Sequence, residues 1–247
     1  MLTTSDFLAM KRGGKKISML TSYDAAFARM AEAAQIDMLL VGDSAANVLL
    51  GMNRTAEISM EIMQVLTAAV KRGTSNTYIV CDMPFGSDGD PKNAVRNAKL
   101  LINAGANAVK IEGTPLESMR AIKEIGIDIV GHLGLLPQTA IDFKQRGKSQ
   151  EDAEKILGDA ITIDELKPCA IVLEHIPAEL GEKITKAANA PTIGIGAGNC
   201  TDGQVLVMHD ILKMHPFKTP PFVQTFENFW ERGVSAFAEY KKWVEEK

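Results

Sequence analysis

The stretch Ala108-Val109-Lys110-Ile111-Glu112-Gly113 decides how the chain is read. It follows a Gly105-Ala106-Asn107 turn and alternates apolar with ionisable residues, the pattern of a short strand. Successive strand side chains point to opposite faces, so Val109 and Ile111 share one face and Lys110 and Glu112 the other. Burying such groups unpaired costs on the order of several kcal/mol. A core strand that carries both has two explanations, a structural ion pair at a strand end or a functional site. The stretch by itself leaves both open.

Working outward, the same alternation of short apolar runs and helical spacings covers the chain. Strands are predicted at 17–22, 38–41, 77–80, 108–113, 127–130, 170–173, 192–195 and 205–208. Helices are predicted at 24–34, 59–71, 91–103, 115–125, within 150–160, and at 177–188. Asp24 and Ser59 read as N-caps, Pro91 as a first-turn proline, and Gly73 and Gly126 as stop signals. Eight strands alternating with helices imply parallel pairing through right-handed crossovers. At 247 residues this predicts a closed α/β (β/α)8 TIM barrel forming a single domain over 1–247. The segment 222–245 is set apart as a C-terminal aromatic amphipathic helix, because 222–243 holds half of the chain's Phe, Trp and Tyr residues. Such a helix needs a partner surface, either the barrel base or a neighbouring subunit.

Composition narrows the function. Hydrophobic residues make up 46% and charged residues 23% of the chain, ordinary for a globular protein. The net charge of −4, without a dense Lys/Arg cluster, removes the electrostatic footprint of a nucleic-acid binder. No segment is apolar enough to span a bilayer, and residues 1–16 are polar and basic, unlike a signal peptide. Cys81, Cys169 and Cys200 form no Cys-x-x-Cys, which argues against a disulfide framework or a zinc ribbon. The expectation is a soluble cytoplasmic protein that acts on small molecules.

The ends of the predicted strands carry the chemistry. They deliver Asp43 and Ser44, Asp82, Lys110 and Glu112, His132, and Glu174. In a barrel of this kind the C-terminal strand ends form one bowl, so these groups converge. Any one of them alone is readily a solvated strand end; five consecutive strands doing the same is hard to explain that way. Two aspartates on adjacent strands suit Mg2+, which prefers hard oxygen ligands and takes few carboxylates. The lack of paired histidines or cysteines nearby disfavours zinc. Lys110 supplies a cation for a substrate carboxylate, His132 hydrogen-bonds that anion or the lysine, and Glu174 is placed as general base. Together these describe enolisation of an α-keto acid. A lone lysine in a strand is also what a Schiff-base aldolase shows. The run Gly194-Ile195-Gly196-Ala197-Gly198-Asn199 is a weak phosphate-site signal, since glycines also serve tight turns.

Several motifs occur in order: Val41-Gly42-Asp43-Ser44, Asp82-Met83-Pro84-Phe85, Val109-Lys110-Ile111-Glu112-Gly113, Gly131-His132-Leu133-Gly134-Leu135 with Pro137-Gln138, Leu173-Glu174, residues 193–199, and Thr201-Asp202-Gly203-Gln204 through Met208-His209-Asp210. The set closely resembles the ketopantoate hydroxymethyltransferase (3-methyl-2-oxobutanoate hydroxymethyltransferase) family. That resemblance implies a Mg2+-dependent barrel that moves a hydroxymethyl group from 5,10-methylenetetrahydrofolate to 3-methyl-2-oxobutanoate, giving 2-dehydropantoate in pantothenate synthesis. It implies Asp43 and Asp82 as metal ligands, Ser44 and Lys110 on the keto acid's carboxylate, and Glu112 supporting the metal shell through water. His132 would sit beside the substrate, and Glu174 would take the proton from its tertiary carbon. It also implies a homodecamer of two stacked rings. The chain departs from the family's pattern at Ala45-Ala46-Asn47, at Gly51-Met52 and in a shortened loop around Phe143-Lys144-Gln145-Arg146-Gly147. Two alternatives stand beside this reading: a metal-dependent lyase of the phosphoenolpyruvate and isocitrate-lyase barrel group, and a non-catalytic barrel used as a binding protein. The first predicts a reactive loop cysteine; the second predicts loss of one or more convergent groups, yet all are present.

Overall fold

A computed structural model describes residues 1–247. Eight strands, β1 (Ile17–Thr21), β2 (Met38–Val41), β3 (Tyr78–Asp82), β4 (Ala108–Glu112), β5 (Asp128–Gly134), β6 (Ala170–Glu174), β7 (Thr192–Ile195) and β8 (Gly203–Leu206), follow in order around a closed barrel. The ladders from β1 through β8 are parallel. The helices are α1 (Thr4–Arg12), α2 (Ala25–Ala33), α3 (Ala45–Val48), α4 (Met60–Gly73), α5 (Pro91–Ala104), α6 (Leu116–Glu124), α7 (Gln150–Asp164), α8 (Ala178–Ala187), α9 (Met208–Ile211) and α10 (Phe229–Glu245). The chain divides into two compact units, Met1–Val205 and Leu206–Lys247. No helix is long and apolar enough to cross a membrane.

The capping residues start the helices as their chemistry requires. The Asp24 carboxylate accepts from the backbone N–H groups of Ala26 and Phe27, and Ser59 Oγ accepts from Ile62. Asp90, just before Pro91, does the same for Asn93. Each such cap is worth about 1 kcal/mol. The parallel strands β2 and β3 are buried along their whole length, as expected of strands covered on both faces. Inward residues of successive strands, among them Met38, Leu40, Tyr78, Val80, Ala108, Val130, Ala170 and Val172, fill the barrel interior. Each large apolar side chain so buried contributes roughly 1.5–3 kcal/mol.

Three elements differ from expectation. Residues 4–12, read as part of a polar basic lead, form α1, whose start is a capping box between Thr3 and Asp6. Phe7 and Met10, one turn apart, are buried in the barrel cluster, and Phe7 meets Tyr78 edge-on at 5.2 Å between centroids. Their apolar pair is short and flanked by charges, so the periodic signal was weak; packing against the barrel interior is what settles the helix. The last strand runs Gly203–Leu206, two residues earlier than predicted, and Met208 opens α9 instead. In the second unit the helix expected over 222–245 is shorter: α10 runs Phe229–Glu245, starting where the Asn228 side chain accepts from the Glu231 N–H, and none of its residues is buried.

Candidate active site

Strand register sets the site. Asp82 lies beside Lys110 across the β3–β4 ladder, Glu112 beside His132 across β4–β5, and Gly134 beside Glu174 across β5–β6. The β4 side chains Lys110 and Glu112 therefore fall between carboxylates and a histidine that belong to neighbouring strands. Lys110 Nζ sits 3.0 Å from Asp82 Oδ1 and 3.1 Å from His132 Nδ1. His132 Nδ1 is 3.4 Å from Glu112 Oε1, and Nε2 is 3.2 Å from Glu174 Oε2. The backbone N–H of Asp43 donates to Asp82 Oδ2 at 3.0 Å. All six ionisable residues singled out in the sequence are brought into one connected cluster. Ser44, next to Asp43, has its Oγ 2.8 Å from the hydroxyl of the buried Tyr23.

Gly134 makes this closeness possible at the β5–β6 edge. Its φ of +95° is left-handed, and a Cβ there would run into the carbonyl of Glu174. The glycine-rich turn after β7 serves packing in the same way: Gly198, at φ +80°, would press a Cβ to 2.5 Å from that of Ala178. Close approach of backbone to neighbouring chain accounts for this run.

The electrostatics follow from burial. Asp43, Asp82, Lys110 and His132 are each less than 7% exposed, so water screens them little. Burial foremost, then the Asp82 carboxylate, pushes Asp43 up to about 7. Burial pulls Lys110 down, but Asp82, Glu112 and Asp43 outweigh it, and the lysine is held above its ordinary value as an ammonium. An ammonium locked between carboxylates is a poor amine nucleophile, which disfavours the Schiff-base alternative. Burial and Lys110 lower His132, yet the carboxylates of Glu112 and Glu174 outweigh both and raise it to about 9. His132 Nε2 is buried 3.2 Å from Glu174 Oε2 without a directed hydrogen bond to it. Burial raises Glu112, but hydrogen bonding and charge from His132, with Lys110, hold it below the usual glutamate range.

These features fit a hard divalent cation. Four carboxylates, from Asp43, Asp82, Glu112 and Glu174, meet only two cationic side chains, Lys110 and His132. Asp82 Oδ1 is buried, faces the Lys110 ammonium, and receives no directed hydrogen bond. No group of three or more His, Cys, Asp or Glu side chains is disposed to hold a metal ion by itself. Two carboxylates with open positions are what Mg2+ uses, since it keeps waters and substrate oxygens in its shell.

Two site residues went unassigned in the sequence. Gln138 donates from Nε2 to Asp43 Oδ2 at 2.8 Å, and Tyr23 meets Ser44. Gln138 lay within the quoted Pro137-Gln138 motif, and Tyr23 stands just past the end of β1, so strand-end position was the available signal.

Comparison with known proteins bears on the fold and the family. The solved structure of phosphonopyruvate hydrolase in complex with oxalate and Mg2+ superposes with a TM-score of 0.67 at 12% identity, over 100% of this chain and 88% of that one. The structure of 2,3-dimethylmalate lyase, a member of the PEP mutase/isocitrate lyase superfamily, superposes with a TM-score of 0.61 at 15% identity, over 100% and 89%. At such identities the likeness establishes the fold alone. Sequence relatives are much nearer. The 3-methyl-2-oxobutanoate hydroxymethyltransferase of Desulfitobacterium hafniense is 47% identical over 247 residues, covering 97% of this chain and 89% of its own. That of Thermosipho melanesiensis is 44% identical over 252 aligned positions, covering 100% and 95%. The family model described as ketopantoate hydroxymethyltransferase matches residues 1–247, and the chain belongs to the ketopantoate hydroxymethyltransferase family.

Proposed function

We propose that the chain transfers a hydroxymethyl group from 5,10-methylenetetrahydrofolate to 3-methyl-2-oxobutanoate, giving 2-dehydropantoate for pantothenate and coenzyme A synthesis. The observation that carries this reading is the connected cluster of Asp43, Asp82, Lys110, Glu112, His132 and Glu174 at one mouth of the barrel. Family membership supports this choice of substrates.

In this reading Asp43 and Asp82 hold Mg2+, with Glu112 behind the metal shell. When bound, Mg2+ acts as a Lewis acid that polarises the keto group and so acidifies the adjacent carbon. Ser44, oriented by Tyr23, and Lys110, held as an ammonium, bind the keto acid's carboxylate. Glu174 is the general base: it lies at the end of β6, is 19% exposed by its side chain, and reaches outward to substrate. It takes the proton from the tertiary carbon. His132, with Nε2 3.2 Å from Glu174 Oε2, lies beside that carboxylate and the substrate. The resulting enolate carbon forms the new bond to the one-carbon unit, and water supplies the hydroxyl oxygen as tetrahydrofolate leaves.

The reading includes a cytoplasmic location, in keeping with Cys81, Cys169 and Cys200 standing unpaired. It also includes a homo-oligomer, with the decamer of the family as the expected state. Exposed Phe237, Tyr240 and Trp243 on α10 support it, because an aromatic face of that size calls for burial against a neighbouring subunit.

The test is proton exchange. The protein is mixed with 3-methyl-2-oxobutanoate in deuterium oxide, with and without Mg2+, and loss of the tertiary proton signal is followed by NMR. Exchange that requires Mg2+ is expected; folded protein giving no metal-dependent exchange would sink the enolisation step.

A further inference from the structure

Gln138 touches more of the site's framework than any role so far explains. It is 6% exposed. Its Nε2 donates to Asp43 Oδ2 at 2.8 Å and to the Met83 carbonyl at 3.0 Å. Its backbone N–H donates to Glu112 Oε2 at 3.2 Å, and its carbonyl accepts from Arg54 at 3.4 Å. The loop after β5 is thereby tied to the ends of β2, β3 and β4.

The two aspartates share one design. In each, Oδ2 is tethered by an N–H: Asp82 Oδ2 by the Asp43 backbone, and Asp43 Oδ2 by Gln138. A carboxylate with one oxygen tethered cannot spin freely about its last bond, so its other oxygen keeps one direction. An amide nitrogen has two protons and no acceptor lone pair, so Gln138 can only donate here, and both protons are committed. A neutral residue able to accept would let Asp43 rotate.

We infer that Gln138 is a positioning residue that fixes the Asp43 carboxylate for the divalent cation and registers it to the ends of β3 and β4. The inference rests on the reading of Asp43 as a metal ligand. Its effect belongs to metal affinity rather than to the proton transfer, because Gln138 has no contact with Glu174 or His132 among its hydrogen bonds. Partners that orient metal ligands typically change metal affinity by about 10–100-fold when removed.

The probe is Mn2+, titrated into the full chain and followed by the EPR signal of the free ion, with no substrate present. Wild type is expected to bind, and Asp43→Asn to lose binding. Gln138→Met keeps length and volume but removes the donor, and is expected to weaken Mn2+ binding about 10–100-fold. Gln138→Asn is one methylene too short to span Asp43 and Met83, and should weaken binding in the same range. Keto acid exchange at saturating Mn2+ should return to within a few-fold of wild type in both. A Gln138 that merely packs its loop would lower the Tm of both variants while leaving Mn2+ affinity unchanged, and that result overturns the inference. If Gln138→Met fails to fold, Gln138→Asn decides by the same criterion. If Asp43→Asn binds Mn2+ like wild type, the ligand reading itself falls and the inference with it.

Discussion

Glu174, the proposed base, lies 3.2 Å from His132 Nε2 at the mouth of the barrel. His132 is buried to 2% exposure, yet it remains protonated well above its ordinary range because Glu112 and Glu174 flank it. Its partner Glu174 is the more exposed of the two and stands where substrate can reach it. Replacing the proposed base should remove the chemistry and spare the scaffold. Glu174→Gln is expected to keep the fold and keto acid binding but to slow deuterium exchange by roughly two to four powers of ten. The measurement is the NMR exchange rate at saturating keto acid, beside calorimetric binding; an unchanged rate would reassign the base. The reading of Lys110 as an anion clamp instead of a nucleophile also belongs at this scale, since Asp82 at 3.0 Å holds its charge.

Among the elements, the connection from α4 into β3 is pinned by one carboxylate. Glu32, near the end of α2, accepts from Thr74 Oγ1 at 2.6 Å and from the backbone N–H groups of Asn76 at 2.6 Å, Ser75 at 3.0 Å and Thr77 at 3.2 Å. Those bonds, Thr74 first and Asn76 next, lower Glu32 to about 2 against some opposition from burial. A folded-state value below the unfolded one means stability that is fully present above about 4.5 and disappears as pH falls towards about 2. Glu32→Gln should therefore destabilise by about 1–2 kcal/mol near neutral pH, the charge-assisted bonds being discounted for partial exposure. In urea titrations the gap between wild type and variant should close as pH drops from 4.5 to 2. A gap independent of pH would mean that the carboxylate's charge is not what pins the turn.

For the molecule as a whole, the barrel can bury its own strands, whereas α10 buries none of its residues. Trp230, Phe237, Tyr240 and Trp243 are each more than two-fifths exposed. Association is the expected remedy for such a surface. A chain truncated before Phe222 should sediment as a smaller assembly, or be insoluble if exposed aromatic contacts on the neighbour are uncovered. A truncated chain that sediments at the full-length size would return the helix to a role within its own subunit.

The strands Met38–Val41 and Thr192–Ile195 and the helix start at Pro91 were legible from residue order alone, because apolar runs, caps and prolines act on local backbone geometry. So were Asp43, Asp82, Lys110, Glu112, His132 and Glu174 as a convergent set, because strand ends in a parallel barrel share one face. The helix Thr4–Arg12 was not legible, since its two buried residues gain their reason only from the barrel interior they enter. Nor was the exact start of the last strand, which falls at Gly203 after the turn residues Thr201 and Asp202. Gln138 stands 95 residues from the carboxylate it holds, and His132 faces Glu174 only through register between β5 and β6. Residue types and their order along the chain determined the barrel and the groups delivered to its mouth. Which group touches which, and hence which proton each one keeps, was decided by the tertiary structure, because hydrogen bonds and low-dielectric charge interactions act over ångströms in space and are blind to distance along the chain.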